Sequence, residues 1–152
     1  MADTTTTTTR PAMTRSQKDR LTSDLRIACL RISRRVRFES DSTVAPHQYS
    51  VLVRLEESPR TPKELAAIEK VSAPSMSRTV NGLVERGLVA RADDPTDGRQ
   101  VILSLTAEGR ATIKETRRRR HQWFAARLET LTDAERALLV EATALLERVA
   151  AE

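Results

Sequence analysis

The 152-residue sequence predicts a mainly α-helical chain with one small β-hairpin set into it, and three observations carry that prediction. Apolar residues recur at three- and four-residue steps over most of the chain, which is the period of a helix with one buried face. Prolines 46, 62 and 74 each stand just inside the start of such a stretch, where the missing amide hydrogen costs nothing. Two short β-favouring runs, Leu88–Ala92 and Val101–Leu105, flank a segment rich in turn residues.

Composition limits how this fold can be held together. Aromatic residues make up only 3% of the chain, so the core must be aliphatic. Lysine and arginine number 26 against 21 acidic residues, a net charge of +5 that suits a polyanionic partner. The single cysteine, Cys29, excludes an intramolecular disulfide and fits a reducing compartment. No apolar run approaches the ~18 residues that span a bilayer, so no membrane association is expected. The opening MADTTTTTTRPAMTR lacks the apolar core of a secretory signal, and a cytoplasmic, nucleoid-associated location is expected. Its threonine run cannot bury a core, so residues 1–17 read as a tail that is disordered or only locally ordered.

In chain order, Leu21, Leu25, Ala28, Ile32 and Val36 set a first helix over Lys18–Phe38, with arginines on its other faces. Ile27 and Leu30 widen the apolar surface beyond what one neighbour needs. Cys29 lies beside this stripe and reads as a packed thiol. After a polar connection, Glu39–Ala45, a second helix begins at Pro46 with Tyr49, Val51, Leu52 and Leu55 on its apolar side. Ser58-Pro59 ends it. Thr61-Pro62-Lys63-Glu64 is a capping box opening a short third helix to about Glu69. Lys70-Val71 then link it to Ser72, the expected N-cap of a fourth helix.

On that fourth helix Ala73, Met76, Val80, Leu83 and Val84 fall within an arc of roughly 100° that faces a core. Pro74, Ser75, Ser77, Arg78 and Asn81 lie outside the arc, short, polar or basic and crowded toward the N-terminus. Such a helix looks like one that reads DNA, and an ordinary solvated helix fits the stretch alone equally well. The flanks decide. Two short helices joined by a tight link form a helix-turn-helix. Arg86-Gly87 ends the second of them, with glycine suited to a left-handed C′ position. The hairpin that follows, with Asp-Pro and Asp-Gly turns between its strands, is a wing, and Val101, Leu103 and Leu105 share one of its faces.

Thr106 caps a fifth helix that runs to about Glu129, and Thr132-Asp133-Ala134-Glu135 is a capping box for a sixth. Ala134, Leu138, Leu139, Ala142, Leu145, Leu146 and Val149 give that last helix a continuous apolar stripe. Apolar helices at both ends of the chain predict a dimerisation layer around a winged helix-turn-helix core, because a monomer would leave the stripes exposed. The expected divisions are 18–45 for the N-terminal dimerisation helix and connection, 46–106 for the DNA-binding domain and 107–152 for the C-terminal dimerisation helices.

The run Arg91-Ala92-Asp93-Asp94-Pro95-Thr96-Asp97-Gly98-Arg99, with Leu105-Thr106-Ala107-Glu108-Gly109 after it, closely resembles the wing of the MarR family, R–DPxDGR–LTxxG. Gly87-Leu88-Val89 matches too, and the likeness covers roughly residues 18–150 in helix order and spacing. The resemblance implies a dimeric transcription regulator, usually a repressor, on a pseudo-palindromic operator, with the recognition helix in the major groove and the wing in the minor groove. By position the wing arginine is Arg99, with Asp97 holding the wing in shape. Many members release DNA when a small, often aromatic or phenolic, ligand enters a cleft between the two layers. A subset senses peroxide through a cysteine near the start of the first helix, helped by tyrosines. Here Cys29 is mid-helix and Tyr49 is the only tyrosine, so that activity is not expected.

The expected DNA-binding set is therefore Ser72, Pro74, Ser75, Ser77, Arg78, Asn81, Asp97 and Arg99. A basic hairpin tip suits a narrow minor groove, which favours Arg99. Ser77 either donates to a phosphate or is merely solvated, Ser72 either contacts DNA or only caps, and Asn81 either reads adenine or faces water. Arg91 either pairs with a wing aspartate or touches DNA. Arg117–Arg120 spread around the helix circumference, so solvated and inter-subunit pairing roles are expected rather than one flat patch. An effector cleft lined by aliphatic and arginine side chains of the first, second and fifth helices would suit a small anionic or aromatic compound. Cys29, His47 and His121 have no chelating spacing, and no nucleophile signature, phosphate loop or paired acids stand out, so neither a metal, a cofactor nor an enzyme is expected. The rival expectation is an architectural DNA-binding protein without an inducer.

Overall fold

Six helices and two strands occupy the residues that the computed structural model describes, 12–40, 42–93 and 100–151. They are α1 (Arg15–Glu39), α2 (Pro46–Glu57), α3 (Pro62–Ile68), α4 (Ala73–Glu85), β1 (Val89–Asp93), β2 (Val101–Leu105), α5 (Ala107–Leu128) and α6 (Asp133–Ala151). The chain divides into two compact units, one ending at Arg35 and one beginning at Val36.

In the first unit α1 starts three residues ahead of the expected Lys18. Thr14 and Gln17 close a capping box there: the Thr14 amide donates to Gln17 Oε1 at 2.8 Å, and the Gln17 amide donates to Thr14 Oγ1 at 3.3 Å. Leu21, Leu25, Ile27, Leu30 and Ile32 are all exposed. Within one chain Cys29 is exposed as well, like the stripe it lies beside.

In the second unit the core is aliphatic, as an aromatic-poor composition requires. Leu52, Leu65, Val80, Leu83, Leu103 and Ile113 are fully enclosed, one or two from each surrounding element. Val44, in what reads as a polar connection, is buried with them, and Ser42 Oγ holds it by donating to the Val44 carbonyl at 3.0 Å. Pro46 takes the first position of α2 and Thr61 caps α3, each as expected.

The turn between α3 and α4 closes with paired bonds, Lys70 N to Ala67 O at 3.3 Å and Val71 N to Ala66 O at 3.0 Å. That Schellman pattern places Lys70 in the left-handed region, φ 53°, where glycine is usual. The end of α4 repeats it with Gly87 at φ 70°, Gly87 N bonding Val84 O at 2.9 Å and Leu88 N bonding Leu83 O at 2.9 Å. Because Leu88 completes the helix cap, β1 starts at Val89, one residue later than its β-favouring run.

The strands pair antiparallel, with Val89 opposite Leu105 and Arg91 opposite Leu103. Leu103 and Leu105 are buried, whereas Val101, on the same face, lies at the outer end of the ribbon and is exposed. Arg60, just before α3, adds a one-residue bridge on the far side of β2, exchanging two backbone bonds with Leu103 at 3.1 and 2.9 Å.

Thr106 joins the wing to α5. Its Oγ1 accepts from the Gly109 amide at 3.0 Å and donates to the Gly87 carbonyl at 2.8 Å, so one hydroxyl starts α5 and secures the end of α4. The arginine run of α5 has partners within the chain, while the Arg117 and Arg118 side chains stay more than half exposed. Arg117 forks onto Glu56 of α2 at 3.0 and 2.7 Å, Arg118 and Arg119 share Glu115, and Arg120 lies 4.0 Å above the Tyr49 ring. The reason is geometric: α5 lies against α2, so successive side chains meet different neighbours. Thr132 and Glu135 form the expected box at the start of α6, a helix with no buried residue.

Candidate nucleic-acid interface

The face of α4 turned away from the core is set by burial on the other side. Met76, Val80 and Leu83 are buried, Val84 is half-buried, and Ala73, expected in the core arc, is exposed in the first turn. Opposite them Pro74, Ser77, Arg78 and Asn81 are exposed and Ser75 is half-buried. Ser72 stands at the N-cap with extended backbone, and its carbonyl accepts from Met76 N at 3.0 Å. Its hydroxyl makes no capping bond, unlike those of Thr61 and Thr106.

No acidic residue lies on α4 before Glu85, and Arg78 and the helix N-terminus add positive potential to its first turns. Arg78 borders a cavity of about 370 Å³ with His47, Ser75, Thr79 and Glu69, the residue that ends α3. The second arginine of the segment, Arg86, is used inside the fold, donating to the Thr43 carbonyl at 2.9 Å and to Gln48 Oε1 at 3.3 Å.

Arg91 and Asn81 are brought together across the fold. The Arg91 Nη2 donates to Asn81 Oδ1, and both side chains are exposed. Neither alternative read from the sequence, a wing aspartate or DNA for Arg91, named this partner. Two of the expected contact residues, Asp97 and Arg99, lie outside the described residues.

A second concavity, about 230 Å³, is lined by Arg37, Pro46, Tyr49, Ser50, Val53, Arg54 and Arg120, from the end of α1, α2 and α5. Arg54 is paired with Glu69 at 3.2 Å and with Glu57 at 3.3 Å, and its proton is held more tightly for that reason. The Nε of Arg120 is buried without a hydrogen-bond partner. The arginine and tyrosine lining was legible as residue types, but only the packing of α5 on α2 brings these members together. Among the described residues no group of acids, histidines or cysteine could hold a metal ion. No helix among them is long and apolar enough to cross a membrane.

Comparison with known proteins agrees with this geometry. A MarR family model matches residues 42–100, from the buried connection through α4 to the start of β2. An uncharacterized HTH-type transcriptional regulator of Mycobacterium bovis is 43% identical over 129 residues, covering 84% of this chain and 90% of that protein. Among solved structures, a MarR family protein from Bacillus stearothermophilus superimposes with a TM-score of 0.71 at 25% identity, covering 93% of this chain and 100% of the other. The YusO protein of Bacillus subtilis gives 0.71 at 27% identity, covering 86% and 96%.

Proposed function

The chain belongs to the MarR family of DNA-binding transcriptional regulators, and from that premise we propose that it is a homodimeric repressor of a pseudo-palindromic operator. In this reading α4 enters the major groove with Ser72, Pro74, Ser75, Ser77, Arg78 and Asn81. Arg99, shaped by Asp97, reaches the neighbouring minor groove. The carrying observation is the exposed, acid-free N-terminal face of α4, held rigidly by its buried opposite side. Residues 46–106 act as the reader, and 18–45 with 107–152 as the dimerisation layer. The exposed apolar residues of α1 and α6 support a second copy as the partner. A small anionic or aromatic effector in the cavity beside Tyr49 and Arg120 releases DNA, supported by the cationic lining of that cavity. The protein acts in the cytoplasm at the nucleoid.

Footprinting with a titration of variants tests this reading. Protection of one or a few sites, with half-sites about one helical turn apart, is the expected result. Uniform coverage would make it an architectural protein instead. Arg99→Ala is expected to weaken operator binding by ~1–3 kcal/mol with the oligomeric state unchanged, and an unaltered gel-shift affinity would remove the wing from the interface.

A further inference from the structure

The pair Arg91–Asn81 constrains what α4 can read. Arg91 sits at the middle of β1, opposite Leu103, whose backbone is fixed by β1 on one side and by Arg60 on the other. Paired residues of an antiparallel ladder project from the same face, and for Leu103 that is the face covered by the core. The stem of Arg91 therefore leaves a rigid strand toward α4, and its guanidinium emerges beside Asn81.

A primary amide has two ends of similar shape and opposite hydrogen-bond polarity, so a solvated asparagine offers either one. A guanidinium has only donors. It fixes the Asn81 amide with the oxygen toward β1 and leaves the nitrogen as the leading group, and the charge on Arg91 strengthens that bond. In the major groove, guanine N7 and O6, adenine N7 and thymine O4 are acceptors, whereas cytosine offers only its N4 donor. We propose that Arg91 is a positioning residue for sequence readout: it holds Asn81 as a donor, so the operator excludes cytosine at the base Asn81 meets. This rests on α4 lying in the major groove with Asn81 toward the bases.

The test is selection of binding sites from a random DNA pool by the full-length protein and four variants. Asn81→Ala identifies the position, by flattening the base preference there and nowhere else. At that position the unmodified protein is expected to disfavour cytosine by about tenfold. Arg91→Met is expected to bring cytosine to parity with the other bases, and Arg91→Lys, still a pure donor, to keep it excluded. Asn81→Asp, which presents only acceptors, is expected to turn the position toward cytosine. Both residues are exposed, and a thermal melt verifies that each variant is folded. If Arg91→Met lowers affinity uniformly and leaves cytosine excluded, Arg91 acts only through its charge and the positioning role is overturned while Asn81 stays a reader. If Asn81→Ala changes no preference, Asn81 is not in the groove, and the underlying placement fails together with the inference.

Discussion

A methyl group added at Gly109 would lie 2.2 Å from the Leu88 carbonyl oxygen and 2.7 Å from Leu105 Cδ1. Backbone on one side and a buried leucine on the other leave no room to relax. Gly109→Ala is therefore expected to destabilise the fold by about 3 kcal/mol, the upper end of the overpacking range. That corresponds to a melting temperature lower by roughly 6–12 °C in calorimetry. An unchanged melt would mean that α5 does not approach the end of α4 as described. The two glycines differ in how openly the sequence announces them. Gly87 follows a periodic run and precedes a β-favouring one, which marks a helix C′ position. Gly109 is visible only as a letter of the wing pattern, because its neighbour Leu88 is far away in sequence. Lys70 was not legible at all: nothing in its residue type favours a left-handed backbone, which follows from docking α3 and α4 through Leu65 and Met76.

At the scale of elements, helix starts were the most readable feature, since a capping box is local chemistry written within four residues. The boxes at Thr61 and Thr132 open helices where expected, and the one at Thr14 explains the earlier start of α1. The side of α5 on which each arginine falls was much less readable, because its partners sit on another helix or one turn away. Glu115, between Arg118 and Arg119, has its carboxyl lowered from 4.5 to about 2 by the hydrogen bonds of these two side chains. A lowered carboxyl stabilises the fold above its ordinary value and loses that contribution as pH falls toward its folded value. Glu115→Gln is thus expected to melt below the unmodified protein at neutral pH, with the gap narrowing from about pH 4.5 to about pH 2. A melting difference that stays constant across that range would show the pairing to be irrelevant to stability.

At the scale of the whole molecule, the aliphatic core and its order of elements followed from hydrophobic period and turn chemistry. The Arg91–Asn81 contact and the cavity beside Tyr49 did not, since each joins residues with no shared periodicity. The face of α6, like that of α1, is an apolar surface that one copy leaves exposed. Leu138 and Leu145, one heptad apart, are 65% and 58% exposed. For the proposed dimer, the double change Leu138→Glu, Leu145→Glu is expected to leave the second unit folded and shift sedimentation to the monomer. Operator affinity should fall at least tenfold because two half-sites are no longer bound as one. A dimer that survives both charges would place the subunit contact elsewhere.

The bridge between Arg60 and Leu103 also bears on solubility. A free strand edge exposes a row of unpaired amides and carbonyls onto which another chain can add. In β2 that outer edge is occupied at its middle residue, and the bridging residue is a charged arginine preceded by Pro59, which has no amide hydrogen to offer. The β2 edge of the small sheet is thereby guarded against pairing with the strand of another copy.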